Sequence, residues 1–367
     1  MKRLFALTLA LCLLLCACGK QEQTTEATTE ETTVETTEAA TETTAFPTEE
    51  STEATEPPVA EDPNSINPLT GEALEEASNG RPFAIMLNNH KAALPHHGVS
   101  AADVVYETLV EGGMTRYMAL FLDPTQAETI GSVRSARPPF VGLVQAYDAI
   151  YCSASGADNV LSIVTSQGVD YLNALVYEGS YFYRNQARLN SGTSWEHTLF
   201  ITGEDFYQLA VDKEMRTTRK EGQTYGFTFA ADAAVDGQTA NKIVISFQNG
   251  GKTTTCNYDA EKSAYTLYQN GMDYVDGDTD ELVEFRNVLI LETNIYTMEN
   301  GLHVQADTVG EGTGYYALDG QIIPITWSRA GEDEPFAYKT ADGQDLTMGI
   351  GTTYVAIITN GAPVEVE

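Results

Sequence analysis

The stretch GSVRSARPPF (131–140) sets Arg134 and Arg137 three residues apart, in a chain with 53 Asp and Glu against 20 Lys and Arg. Guanidinium forks match the paired oxygens of phosphate and carboxylate. Such a doublet therefore makes either an anion site or two internal ion pairs with some of the many carboxylates, such as Asp103, Glu107 or Asp148. A second cluster, YFYRNQAR (181–188), interleaves aromatics with Arg184 and Arg188. These types stack on sugars or bases and pair with phosphate, or else pack a loop onto the core.

The five histidines show no zinc spacing, and His96-His97 beside Pro95 reads as an exposed loop. His197 is the one candidate general acid or base. DGDTDEL spaces Asp276, Asp278 and Asp280 like the start of a calcium loop. Glu281 stands where such a loop needs glycine, however, and Asn287 where it needs glutamate, so an acidic turn is the simpler reading. There is no P-loop, no GxSxG, no GxGxxG after a strand and no Cys matched to a His.

The elements that must position these groups change character along the chain. Up to about Asp205, strand-like and helix-like runs alternate: Arg81–Asn89 is a buried strand, and Glu111-Gly112-Gly113 is a hairpin turn between two β-rich runs. Ile130–Val133 and Ala149–Ser153 are further strands. Ser135 can cap a helix from about Ala136, and Asp158 one that stops at Gly168. Arg134 and Arg137 then lie between a strand's carboxyl end and a helix start, where open α/β sheets bind ligands and where first-turn amides help hold anions. After about Gly237, short β-patterned runs joined by Gly, Asn and Asp take over. The expectation is an α/β domain over 63–235, a mixed sheet covered by helices, followed by a β-rich sandwich or barrel over 236–367.

Ahead of these lies a leader, residues 1–17, with Lys2 and Arg3 before an apolar run from Leu4 to Leu15. It is too short for a lasting membrane span and reads as an export signal. Leu15-Cys16-Ala17-Cys18 resembles the bacterial lipobox, which makes Cys18 the lipidated N-terminus and ties the protein to a membrane through acyl chains. Residues 18–62 are a Thr/Glu-rich tether that cannot bury enough apolar surface to order itself. With the tether's net −12 and the leader's +2 taken from the chain's −33, −23 remains on residues 63–367. Such a body repels nucleic acid and anionic lipid headgroups, leaving divalent cations or cationic polymers as companions. Cys152 and Cys256 read as isolated, small apolar groups.

NPLTG (67–71), RPFAIMLNN (81–89), ADVVYETLVEGGMTRYMALF (102–121), IGSVRSARP (130–138), YDAIY (147–151), GTGYY (312–316) and ITWS (325–328) together resemble the YerB-type bacterial lipoprotein family. That family pairs N- and C-terminal domains of unknown function on a lipid anchor. The resemblance implies the two-domain division and the outer face of a plasma membrane, Gram-positive in type, and it adds Arg116 to the candidate crevice. It favours Arg184 and Arg188 as site residues over His197, whose surroundings here lack the Pro and Asn of the family's RxxxRxxPHNxY pattern.

Two functions follow. One is an envelope module that binds a phosphorylated or sugar polymer, or a wall-assembly protein, and needs no cofactor. The other is a metal-dependent phosphotransferase or hydrolase acting on a lipid-linked pyrophosphate, since the element order is loosely similar to the LytR-CpsA-Psr phosphotransferases. There Asp103 would hold a divalent metal or act as base, and Arg116, Arg134 and Arg137 would stabilise charge.

Overall fold

The first strand, β1 (Phe83–Asn88), is buried along its whole length, as its unbroken apolar run requires of a strand covered on both faces. The computed structural model describes residues 62–299 and 301–367; the leader, Cys18 and the tether up to residue 61 lie outside the described residues. Next come β2 (Val104–Leu109) and β3 (Thr115–Phe121), an antiparallel hairpin turning at Glu111–Gly113. Gly112 and Gly113 sit at φ of 71° and 70°, a region that glycine enters without Cβ strain. β4 (Thr129–Gly131), α1 (Pro138–Ala146), β5 (Ile150–Ser153), α2 (Asp158–Ser166) and β6 (Tyr171–Asn173) follow. Then come β7 (Tyr183–Arg184), α3 (Gln186–Asn190), β8 (Leu199–Thr202) and α4 (Gly203–Asp212).

An 11-stranded mixed sheet forms the centre. β5 and β6 run parallel beside β1, with β3 on its other edge and β2 beyond. The sheet then continues into the C-terminal half, because Thr353–Thr359 lies parallel to β2, with Val104 opposite Thr353. Asn287–Thr293, Gly310–Leu318 and Gln321–Arg329 extend it further. The unbroken TYVAIIT run of Thr353–Thr359 suits a strand buried on both faces. It also pairs the edge of β2 that the N-terminal half leaves open.

A 6-stranded sheet built around Lys242–Ser246, Thr253–Asp259 and Ala264–Gln269 is the second layer. Its Ile243, Ile245, Cys256 and Leu267 share one apolar core with Phe83, Ile85, Tyr117 and Tyr354. The other face of the large sheet is covered by α1 and α2 through Phe140, Val144, Val160 and Val164. The expected sandwich or barrel over 236–367 is thus corrected. Its strands divide between the shared sheet and the covering layer, and the described residues form one compact unit.

Three local expectations also change. β4 joins a small antiparallel sheet with β8 and β7 rather than the central one. α1 begins at Pro138 with Arg137 in the N-cap position, not near Ala136 under a Ser135 cap, and α2 follows Ala157, with Asp158 inside its first turn. His96 is fully buried instead of lying in an exposed loop.

Candidate functional site

The carboxyl end of β1, the start of β3 and the segment after β4 meet at one end of the large sheet. Arg116 lies opposite Asn88 in the β1–β3 ladder. The Arg134 backbone is stitched between strands, its N–H donating to the Met86 carbonyl at 2.8 Å and its carbonyl accepting from Ala154 at 2.9 Å. Both guanidinium groups therefore leave from fixed backbone. They line a cavity of about 200 Å³ together with Asn88, His90, Glu196 and His197.

Arg116 is 6% exposed, donates to the Ser135 carbonyl, and pairs with no carboxylate among the described residues. Burial, with Arg137 and Arg134 nearby, pushes it down to about 9. Arg134 reaches Glu196 at 3.3 Å, a half-exposed partner, while its own Nε is buried without one. His197 Nδ1 accepts from the Asn88 amide at 2.5 Å, which leaves the proton on Nε2, 3.5 Å from Glu196. Its ring stacks on His90 at 5.3 Å, and desolvation outweighs Glu196 in lowering its pKa.

The other arginines are engaged. Arg137 Nε meets Glu111 at 2.7 Å, and Glu111 also meets His303 Nδ1 at 2.7 Å. Partial burial opposes ionisation of Glu111, but the hydrogen bonds from Arg137 and His303 outweigh it and hold the carboxyl below its usual range. Arg184 forks onto Glu178 at 2.8 and 2.6 Å and lies 4.4 Å over the Trp195 ring. Arg188, lowered to about 10 by burial, binds the carbonyls of Ala93 (2.7 Å), Pro95 and His197 (3.1 Å). It organises the loop before His97 and the His197 segment. The carboxylates expected to oppose the doublet serve elsewhere: Asp148 holds Arg81, Arg216 and Lys220, and Glu107 holds Lys252. α1 adds no amide cradle, since Pro138 and Pro139 lack N–H groups and that of Phe140 goes to the Arg137 carbonyl.

Asp103 is not brought to the arginines. It precedes β2, whose Thr108 is the neighbour of Arg116, and five strand residues separate them by about 16 Å. There it accepts from Asn67 at 2.7 Å and from the Leu122 N–H at 2.5 Å. Burial, outweighing these bonds, raises its carboxyl to about 6. A folded pKa raised above the unfolded 3.8 gives stability that is full below about pH 4 and lost as pH rises through about 6. Asp103→Asn should therefore gain melting temperature relative to the parent between pH 4 and 7. A constant difference would refute the assignment.

The first two carboxylates of the acidic hairpin are held by hydrogen bonds to the segments around His97 and Thr129. Asp276 accepts from the N–H groups of Gly98 (3.2 Å), Ser100 (2.9 Å) and Asp278 (3.0 Å), and Asp278 binds His97 Nδ1 at 2.6 Å and the Thr129 N–H at 3.1 Å. With those oxygens spent on docking the hairpin, no group of three metal-binding side chains exists among the described residues, and Asp280 has no site to complete. Asn88 and His90 also line the site, and their only signal in the sequence is LNNH (87–90) at the end of a buried strand. Cys152 and Cys256 are free and buried.

The fold and site define a class: a strand-rich protein whose two sequence halves share one mixed sheet, with a basic cavity at the sheet's end. The chain belongs to the YerB-type family of bacterial lipoproteins. Residues 69–216 match "Protein of unknown function (DUF3048) N-terminal domain" and residues 243–355 match the corresponding C-terminal domain. It is 28% identical over 298 residues to the Bacillus subtilis (strain 168) protein named "Putative lipoprotein YerB", covering 79% of this chain and 85% of that one. The crystal structure of YerB protein from Bacillus subtilis superposes with a TM-score of 0.69 at 27% identity, over 80% of this chain and 96% of that one.

Proposed function

We propose that this protein is a lipid-anchored binding module on the outer face of a Gram-positive plasma membrane. Its ligand is a phosphorylated one, such as a wall polymer or its precursor, held at Arg116 and Arg134. One observation carries the reading. In a chain of net charge −33, Arg116 is buried with only a carbonyl partner beside a second arginine whose Nε is unpaired. Two like charges in a partly dry cavity repel each other, and a phosphate fork would offset that repulsion while supplying the missing acceptors. The separation of Asp103 from the arginines weighs against the metal-dependent phosphotransferase reading, which needs them together.

Titration calorimetry of pyrophosphate into the full-length protein in detergent tests the proposal. Arg134→Ala should weaken binding at least tenfold, about 1.4 kcal/mol. Arg184→Ala, which removes an arginine already neutralised by Glu178, should bind like the parent. Equal affinity in the parent and Arg134→Ala would sink the proposal.

A further inference from the structure

A second cavity, of about 430 Å³, opens beside the first and shares His90 and Met114 with it. Asn89, Lys91, Lys252, Thr253 and Asn270 complete its polar wall, and no carboxylate lines it in spite of the chain's 53 acidic residues. Asn89 is 3% exposed and donates through Nδ2 to Glu107 and to Thr115, both at 2.9 Å. Those bonds fix its amide orientation and leave Oδ1 a buried acceptor without a donor. A phosphomonoester dianion has no proton to give it, whereas a sugar hydroxyl does. A buried polar group of this kind is costly until a ligand satisfies it.

We propose that the two cavities form one extended site for a glycosyl phosphate, with the phosphate at Arg116 and Arg134 and the sugar ring in the cavity of Asn89, Thr253 and Asn270. This rests on the anion reading above and adds the ligand's neutral half. The volume lies in the range of small-molecule sites, and the wall of hydroxyl, amide and ammonium groups matches a hexose better than an apolar chain.

Glucose 1-phosphate and inorganic phosphate are the probes, titrated into the full-length protein in detergent. The parent should bind glucose 1-phosphate at least tenfold tighter than inorganic phosphate. Thr253→Trp, at an exposed strand position, fills the second cavity, and Asn270→Gly removes a wall side chain at a φ of 54° that glycine accepts. Neither touches Glu107, and a thermal melt checks that each variant folds. Each should lose most of the preference for glucose 1-phosphate while keeping inorganic phosphate affinity within about twofold. Equal binding of the two probes by the parent, or unchanged preference in both variants, overturns the extended site alone. Binding of neither probe by the parent overturns the anion reading and this inference with it.

Discussion

Lys252→Met is expected to lower the unfolding free energy by about 3–5 kcal/mol, the usual loss when a buried ion pair keeps one charge. Glu107 is fully buried on the face of β2 that the second sheet covers, and Lys252 reaches it at 2.7 Å from the turn between two strands of that sheet. Asn89, Thr115, Thr254 and Tyr354 donate to the same carboxylate, and Lys252 also binds Gln269 at 2.6 Å. Methionine fills the space of the lysine stem but leaves the carboxylate with neutral donors only. Glu107→Gln combined with Lys252→Met removes both charges, and it should recover at least half of the loss. Urea denaturation measures all three variants. A loss below about 1 kcal/mol for Lys252→Met would mean that the pair does not join the layers.

Acid should unfold the protein through His96. Its Nε2 donates to the Asn88 carbonyl and its Nδ1 accepts from the Tyr274 hydroxyl, so the neutral ring is satisfied at both nitrogens. Burial, only partly opposed by the Asn88 bond, lowers its pKa from 6.5 to about 3. With the folded value depressed, the contribution is present above about pH 6.5 and is lost as pH falls toward 3, on the order of 5 kcal/mol in all. Asp103 works in the opposite direction between pH 4 and 6, so the parent curve is the difference of two slopes. His96→Gln should be less stable at pH 7 yet flatter below pH 6 in chemical denaturation. A variant curve parallel to the parent's would remove His96 as the cause.

Much of the N-terminal half was legible because its signals are local. The apolar run of β1, the paired glycines of the hairpin and the strand before Arg134 each follow from a few adjacent residues. The shared sheet was not legible, since a continuous apolar strand such as Thr353–Thr359 announces burial without naming its neighbour. The neighbour is β2, about 250 residues earlier in the chain, and apolar pattern carries no address over such a distance.

The arginines divide in the same way. Composition and spacing alone marked Arg134, Arg137, Arg184 and Arg188 as unusual cations in an acidic chain, and the EGGMTR block added Arg116. Only the tertiary structure decided which of them keeps free valence. Arg137 meets Glu111 across 26 residues, Arg188 meets Ala93 and Pro95 across more than 90, and Arg116 and Arg134 converge where, among the described residues, Glu196 pairs with Arg134 but not with Arg116. A guanidinium's role depends on which acceptors lie within about 3 Å, and chain folding sets that distance independently of separation along the sequence.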